Sequence, residues 1–473
     1  MPRRRPPSTS LALVLVVFTV QSAVAQRRDT LRLSVQSAVS QALSNSDEAR
    51  ISDAQVGVTE AQVAAARAAT LPAARLTSTY THAYENARAQ AVGQVFNQPN
   101  TYNTSINLTQ PLFQGGRLLG TKHVAENSRD AARFDARETR ARISLDAQRA
   151  YLQVLYTQRV AVLQDTNLAL ATSRVAQIEQ LQAAGRAARY DVLRAHVDRA
   201  NIEPLVIQAR NDRENALLDL KRQLNIPLNQ PLVLTSGIDP AWLRRSIAAL
   251  VDTTAVADRA SIHSAEATLR AREDAVSVSR ADYYPTLSLS LAQGYQAFPL
   301  PGFGFPSRFG ALDAESCVPP AAGKVCQNGG WFSDRSLVAS ASWPVFDGFR
   351  TRANISVARA QEEVAQLQLA QQREVVALDV SRARAELTRA LAVFDARQQN
   401  AAEAVEAFQL ASLRFNSGLS TQLEVSDAQL SMLNAQSGAV RSVYDLYLAA
   451  ADLARALGQP VPVPPMTTPG SKE

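Results

Sequence analysis

The sequence has few of the side chains on which catalysis and metal binding usually depend. Its 473 residues include only two cysteines and four histidines, and the histidines are scattered without the spacing of a ligand set. It also lacks a phosphate-binding loop, a G-x-S-x-G motif and a zinc signature. We therefore expect a protein that is not an enzyme and that has no cofactor or resident metal.

A large excess of charge of one sign is also lacking. The 49 basic and 43 acidic residues give a formal net charge of +6. Residues 1–25 hold three arginines and no acid, so their removal leaves 46 − 43 = +3. The arginines alternate with acids along the predicted helices, as on a solvated helix face. The composition therefore predicts no nucleic-acid partner.

Long apolar runs are missing except near the N-terminus. Three arginines at positions 3–5 precede an apolar stretch at 11–20 and an A-x-A site at Ala23-Val24-Ala25. This order is typical of a secretory signal peptide, here residues 1–25, and its apolar part is too short to span a membrane. We expect an exported chain without a helical membrane anchor.

The two cysteines, Cys317 and Cys326, lie nine positions apart in a segment rich in glycine and proline. In an exported protein this spacing predicts a disulfide that closes a small loop. A metal or redox pair is the alternative, but it would need further ligands nearby, and the sequence offers none.

The most informative feature that is present is an internal repeat. The segment PLFQGGR at 111–117 recurs as PVFDGFR at 344–350, and Gly185 recurs as Gly418. Both recurrences are separated by 233 positions, since 344 − 111 and 418 − 185 are equal. The stretch before each of these glycines is almost free of proline and glycine. Each half therefore predicts one uninterrupted helix roughly 100 Å long.

Those helices carry a repeating apolar pattern. Val376, Val380, Ala383, Leu387, Ala390 and Phe394 alternate spacings of four and three, as do Ile143, Ala147, Ala150 and Val154. This is the pattern of a coiled-coil seam. In the return helices we expect a bend or a helix end at Pro204 and, 233 positions later, at Ser437 beside Gly438, because proline and glycine weaken helices.

A β-hairpin with alternating polarity precedes each long helix. Prolines mark its ends, and a glycine turns the chain into the helix; these residues are Pro72, Pro111 and Gly115 in the first half and Pro285, Pro344 and Gly348 in the second. Strands of about ten residues have the length of transmembrane β-strands. One chain supplies four strands and a closed membrane barrel needs about eight, so we expect a barrel shared between chains. Three copies would give twelve strands.

The predicted organisation is two tandem repeats between a signal peptide and a disordered tail at 460–473. The first repeat, 26–237, contains a helix, a hairpin at 74–111, a long helix at 114–184 and a return helix at 188–224. The second, 238–459, contains a helix at 253–282, a hairpin at 285–344, a long helix at 350–416 and a return helix at 421–457.

These motifs resemble those of a known family. Leu71-Pro72 and Tyr284-Pro285 enter the strands, the repeated P-[LV]-F-x-G-[GF]-R leaves them, and RFNSGLSTQLEVSDAQ at 414–429 forms the second helix turn. From about residue 30 to 458 the chain resembles the outer membrane efflux protein family, the TolC-like channels of Gram-negative bacteria. The resemblance implies an α+β membrane protein, a homotrimer whose 12-stranded β-barrel in outer membrane lipid continues into a periplasmic α-helical barrel. It also implies two partners, a periplasmic adaptor and an inner-membrane pump of the RND or ABC type.

By the same resemblance, the two helix turns lie at the periplasmic tip. Gly185-Arg186 and Gly418-Leu419 would be the adaptor-docking turns, and Asp191, Glu424 and Asp427 match acidic positions that narrow the entrance. A carboxylate ring from three subunits would attract cations. The alternative for Asp191 and Glu424 is stabilisation of a helix N-terminus.

We therefore expect the exit duct of a tripartite efflux pump or of a type I secretion system. A non-membrane coiled-coil scaffold of the cell envelope is the main alternative, disfavoured by the signal peptide and the strands. A stand-alone porin is a further alternative, disfavoured because a porin does not need helices roughly 100 Å long. The sequence leaves open whether the cargo is a drug, a metal or a secreted protein.

Overall fold

The computed structural model describes residues 30–85, 87–92, 100–237, 242–245, 247, 258–297 and 331–460. The expected signal peptide, both cysteines and all of the expected tail except Pro460 lie outside these residues. So do positions 253–257 of the helix expected at 253–282.

Helices make up most of the described chain, and two of them are far longer than the rest. The helices are α1 Val35–Asn45, α2 Asp47–Ala68, α3 Ala87–Val92, α4 Arg117–Ala183, α5 Arg189–Gln223, α6 Ala260–Arg280, α7 Arg350–Asn416 and α8 Gln422–Ala456. Both α4 and α7 have 67 residues, which corresponds to about 100 Å each. α4 folds back on α5, and α7 folds back on α8.

The internal repeat extends to the helix boundaries. The first residues of α4 and α7 differ by 350 − 117 = 233, and their last residues by 416 − 183 = 233. The same difference separates the ends of α5 and α8, 422 − 189 and 456 − 223. Equal lengths in both halves allow the two helical hairpins to end at the same level.

The strands form two sheets. They are β1 Leu31–Leu33, β2 Ala73–His82, β3 Asn100–Gln114, β4 Leu232–Leu234, β5 Thr286–Ala297 and β6 Trp331–Ser342. β1 and β4 pair in parallel, whereas the other four form an antiparallel sheet in the order β2-β3-β5-β6. β2 and β6 are the edges of this sheet, and within the described part of the chain neither has a partner on its outer side.

The four-stranded sheet has one apolar and one polar face. Leu108, Leu291 and Leu337 are paired across the strands and share the apolar face. Tyr80 and Tyr102 pair at the far end of that face, with ring centroids 4.8 Å apart. The opposite face carries mainly threonine, serine and asparagine. Such alternation suits a sheet with lipid on one side and water on the other.

Strand β3 corrects one predicted boundary. The hairpin was expected to end at Pro111, but β3 continues through Pro111 to Gln114. The ladder with β5 has a bulge between Pro111 and Phe113, which accommodates a residue that has no N–H to donate. In the second half, β6 ends at Ser342, two residues before Pro344, where the sequence predicted the end of the hairpin.

At Pro204 and at Ser437 beside Gly438 the sequence predicted a bend or a helix end, and the helix end is wrong at both places. α5 runs unbroken through Pro204, and α8 runs unbroken through Ser437 and Gly438. Pro204 is exposed, so water can reach the carbonyl that loses its intrahelical donor. A Cβ on Gly438 would lie 3.4 Å from Cδ of Arg397, so the glycine lets this side chain pack closely against α8.

The helices pack in a row beneath the sheet, in the order α2-α4-α6-α7, and α8 also packs on α4. The predicted seams are confirmed as core positions. Of the ten predicted seam residues, seven are buried and three are partly buried against the two main cores, namely Val380, Ala383 and Ala150.

Two sets of polar contacts stabilise the middle of the helix row, one at Tyr151 and one at Glu138. The buried hydroxyl of Tyr151 donates to the Leu33 carbonyl at 3.0 Å and accepts from the Ser236 N–H at 3.0 Å, joining β1 and the segment after β4 to α4. Near it, Glu138 accepts from Arg259 at 2.9 Å and from Arg455 at 3.1 Å. The Arg259 side chain is only 10% exposed and also pairs with Asp379 at 2.8 Å.

Candidate functional site

The turns that join α4 to α5 and α7 to α8 form the end of the helical hairpins farthest from the sheet. Gly185 has φ +73° and Gly418 has φ +75°. In the first turn the Arg186 N–H donates to the Leu181 carbonyl at 2.8 Å, and in the second the Leu419 N–H donates to the Arg414 carbonyl at 2.8 Å. These are Schellman motifs, which explain why glycine recurs at both positions.

The three predicted acidic residues have different surroundings near these turns. The Asp191 carboxylate accepts a hydrogen bond from the Ala188 N–H at 3.1 Å and so caps α5. The Glu424 carboxylate pairs with Arg414 at 3.1 Å across the second turn. Asp427 is exposed and forms no ion pair with any residue that the structure describes. Asp191 has no ion pair among these residues either, so of the three only Asp427 has neither an ion pair nor a capping hydrogen bond in the described structure.

Asp427 borders a cavity of about 240 Å³ between α4, α5 and α8. Arg174, Arg194 and Asp198 also line this cavity. Burial lowers the pKa of the Arg174 guanidinium, whose near neighbours are the Gln422 side-chain oxygen at 3.4 Å and the Phe415 ring at 5.6 Å. The cavity therefore has charged groups of both signs in its wall.

Polar side chains connect the first helical hairpin to the second near the tip. Buried Gln429 on α8 donates to Asn167 on α4 at 2.7 Å. Ser426 on α8 donates to Asp198 on α5 at 3.0 Å. Gln177 on α4 donates to Asn416 on α7 at 2.9 Å. The two hairpins are thus joined here by hydrogen bonds, in contrast to the apolar packing nearer the sheet.

Sequence reasoning missed these connecting residues. Gln429 lies four positions after buried Val425 and four before buried Leu433, so an apolar residue would fit its place in the seam. Asn167 likewise lies four positions before buried Ala171. A polar residue at a seam position sets which helices pair and in what register, and this signal was available in the sequence.

The predicted turn residues lie at the junction of sheet and helices, away from the tip. Pro72 and Pro285 immediately precede β2 and β5, and Gly115 and Gly348 have φ +61° and +69° between strand and helix.

Among the described residues, no group of three or more His, Cys, Asp or Glu side chains is placed to hold a metal. None of the described helices combines the length and apolarity needed to cross a membrane.

Comparison with known proteins agrees with this architecture. The chain is 28% identical over 364 residues to outer membrane protein OprJ of Pseudomonas aeruginosa, a match that covers 72% of this chain and 67% of OprJ. It is 27% identical over 368 residues to the pyoverdine export outer membrane protein OpmQ of Pseudomonas putida, covering 76% and 70% of the two chains. The crystal structure of the Campylobacter jejuni CmeC outer membrane channel superposes with a TM-score of 0.72 at 15% identity, over 90% of this chain and 85% of CmeC.

The family model described as outer membrane efflux protein matches residues 38–225 and 253–459, which include both repeats. The chain therefore belongs to the outer membrane efflux protein family, has the α+β fold of its channels and is located in the outer membrane of a Gram-negative bacterium.

Proposed function

We propose that three copies of this chain close into one duct through which an efflux pump discharges its substrates. The observation that carries the proposal is the pair of unfinished edges on the described chain. β2 and β6 have free outer sides, and an unpaired strand edge in lipid would leave backbone groups unsatisfied at a cost of several kcal/mol each. Pairing β6 of one copy with β2 of the next removes every edge once the ring closes.

The edge helices support the same closure. On α2, Ile51 and Val58 are exposed and lie seven positions apart; on α7, Val357 and Val364 are exposed with the same spacing. Seven-residue spacing is the repeat of a coiled-coil seam. Because the two edges differ, they form a head-to-tail interface, which generates a ring when the rotation closes. Twelve strands and the helix row beneath them would enclose a water-filled passage.

The polar face of the sheet would line this water-filled passage, and the helix turns at the tip would surround its entrance. The acidic residues near the second turn would supply three copies of each carboxylate. Because Arg414 balances Glu424, the net negative charge of the ring would come mainly from Asp427. The hydrogen bonds from Gln429 and Ser426 would hold the entrance narrow until the two hairpins separate.

The duct would work within a tripartite assembly, with a periplasmic adaptor docked on the Gly185-Arg186 and Gly418-Leu419 turns and an inner-membrane pump below.

The family name and the pyoverdine export function in the name of OpmQ favour efflux of small molecules over type I protein secretion. Deleting the gene should raise accumulation of a fluorescent efflux dye and leave secreted proteins unchanged. Loss of a secreted protein with unchanged dye accumulation would assign the duct to secretion.

Conductance in planar bilayers tests the gate. We expect the purified protein to form cation-preferring channels that trivalent cations block, and the double variant Glu424→Ala/Asp427→Ala to lose much of that block. The matched control is Glu403→Ala/Glu406→Ala, which removes two exposed carboxylates with the same spacing farther up α7. Arg414→Gln should act in the opposite direction and strengthen the block. If trivalent cations block the wild type and Glu424→Ala/Asp427→Ala equally, the two carboxylates do not form the gate, and their role would be helix capping or adaptor docking.

A further inference from the structure

Among the residues that the structure describes, the polar face of the four-stranded sheet carries one cationic side chain. Arg75 on β2 pairs with Asn107 on β3, Asn107 pairs with Ala292 on β5, and Ala292 pairs with Ser336 on β6. Directly paired residues lie on the same face of an antiparallel sheet, so this level of the polar face is otherwise uncharged. Arg75 is exposed and forms no ion pair with any residue in the described ranges.

The polar face carries a single acid among the described strand residues. Asp334 on β6 aligns through Gly294 and Ser105 with Thr77, two positions beyond Arg75. With strands about 4.8 Å apart, the three strand spacings between β2 and β6 separate the two charges by roughly 15 Å. Asp334 therefore does not neutralise Arg75 within one chain. In the closed ring β6 pairs with β2 of the next copy, so Asp334 would lie on the strand beside Arg75 of that copy, and Asp334→Asn should then strengthen the attraction of anions.

The structure also fixes where Arg75 lies along strand β2. It lies three residues after Pro72, at the end of the sheet that meets the helices. Its neighbours Ala74 and Leu76 project from the opposite, apolar face. Arg75 therefore projects from the polar face, opposite to Ala74 and Leu76.

We propose that Arg75 forms an anion-attracting ring inside the duct, where the strand wall joins the helices. This inference rests on the proposed function, because three copies are needed to place three guanidinium groups around one passage. The ring would lie in series with the acidic entrance and would concentrate solutes that carry carboxylate, sulfate or phosphate groups in the strand section. In a substrate with both a cationic and an anionic group, the acidic entrance would attract the cationic group and the Arg75 ring would attract the anionic group.

Block by a polyanion from the strand side tests this ring without relying on the tip. Tripolyphosphate is added first to one side of the bilayer and then to the other, in about 0.1 M KCl, where the Debye length is about 10 Å. The wild-type current should fall when the polyanion is on one of the two sides. In about 1 M KCl, where that length is about 3 Å, the block should largely disappear. Arg75→Gln should require an about tenfold higher tripolyphosphate concentration for the same block.

Two further variants make the result specific. Arg335→Gln removes another exposed arginine, which lies on the opposite face and pairs with Gln293, and tripolyphosphate should block this variant as it blocks the wild type. Asn107→Asp places a carboxylate directly across from Arg75 and should weaken the block even if Arg75→Gln fails to assemble. Unchanged block in Arg75→Gln, or in Asn107→Asp, would overturn the ring. A wild-type protein that forms no channel at all would instead overturn the proposed function.

Discussion

Replacing Gly115 by alanine should destabilise the protein much more than the same change at Gly348, although the two positions are equivalent in the repeat. Both residues have positive φ, +61° and +69°. A left-handed conformation costs a residue other than glycine about 1–2 kcal/mol, so this part of the penalty is shared. Only at Gly115 does the new Cβ also meet other atoms, 2.4 Å from the Ala281 carbonyl oxygen and 2.9 Å from the Tyr284 Cβ.

The difference between the two variants follows from this contact. Forcing an extra group into a packed site costs about 1–3 kcal/mol, whereas nothing lies within 4 Å of a Cβ built on Gly348. Since each 1.4 kcal/mol is a factor of ten, Gly115→Ala should unfold about 5- to 150-fold faster than Gly348→Ala if the contact is lost in the transition state.

The assay is the decay of the far-ultraviolet circular dichroism signal of detergent-purified protein at one fixed temperature. Failure of Gly115→Ala alone to yield folded protein would agree with the same reasoning. Equal unfolding rates for the two variants would refute it, because they would show that the junction of β3 with α4 can move away from the 281–284 segment at little cost.

Three further predictions concern the rest of the chain. Tyr151→Phe removes a buried hydroxyl with two backbone partners and should lower the free energy of unfolding by about 1–3 kcal/mol in the same assay. Burial raises the pKa of Glu138, but two arginines outweigh it and hold the pKa below 4.5, so its contribution is present above pH 4.5 and lost as pH falls through the lower folded-state pKa. The stability difference between wild type and Glu138→Gln should therefore shrink in acid. Cys317 and Cys326 should both resist thiol labelling in non-reduced protein, and labelling of both would exclude the disulfide.

Much of the architecture could be predicted because it is repeated and periodic. The 233-residue offset located both tip glycines, and the alternating spacings of four and three located the buried seams of α4 and α7. Strand alternation located the faces of the sheet. These features depend on local periodicity and on glycine conformation, which a sequence displays directly.

Features that depend on distant contacts were missed. β1 and β4 have three residues each and pair across about two hundred positions, too short for a periodic signal. The short helix α3 lies within the segment 74–111, for which the sequence predicted only a hairpin. Pro111 was predicted to end a strand and Pro204 to bend or end a helix, yet β3 continues through Pro111 by means of a bulge and α5 continues through Pro204 on an exposed face. The partners of Glu424 and Asp198 come from separate helices, so neither the ion pair nor the hydrogen bond at the tip follows from spacing alone.

The mass of the intact assembly tests most directly whether three chains share one duct. Native mass spectrometry of the protein purified in detergent should give a single species with three times the mass of one mature chain. Strand pairing between copies should keep that species intact at low protein concentration. A stable monomer or dimer that still forms channels would contradict a wall built from the free edges β2 and β6 of three copies.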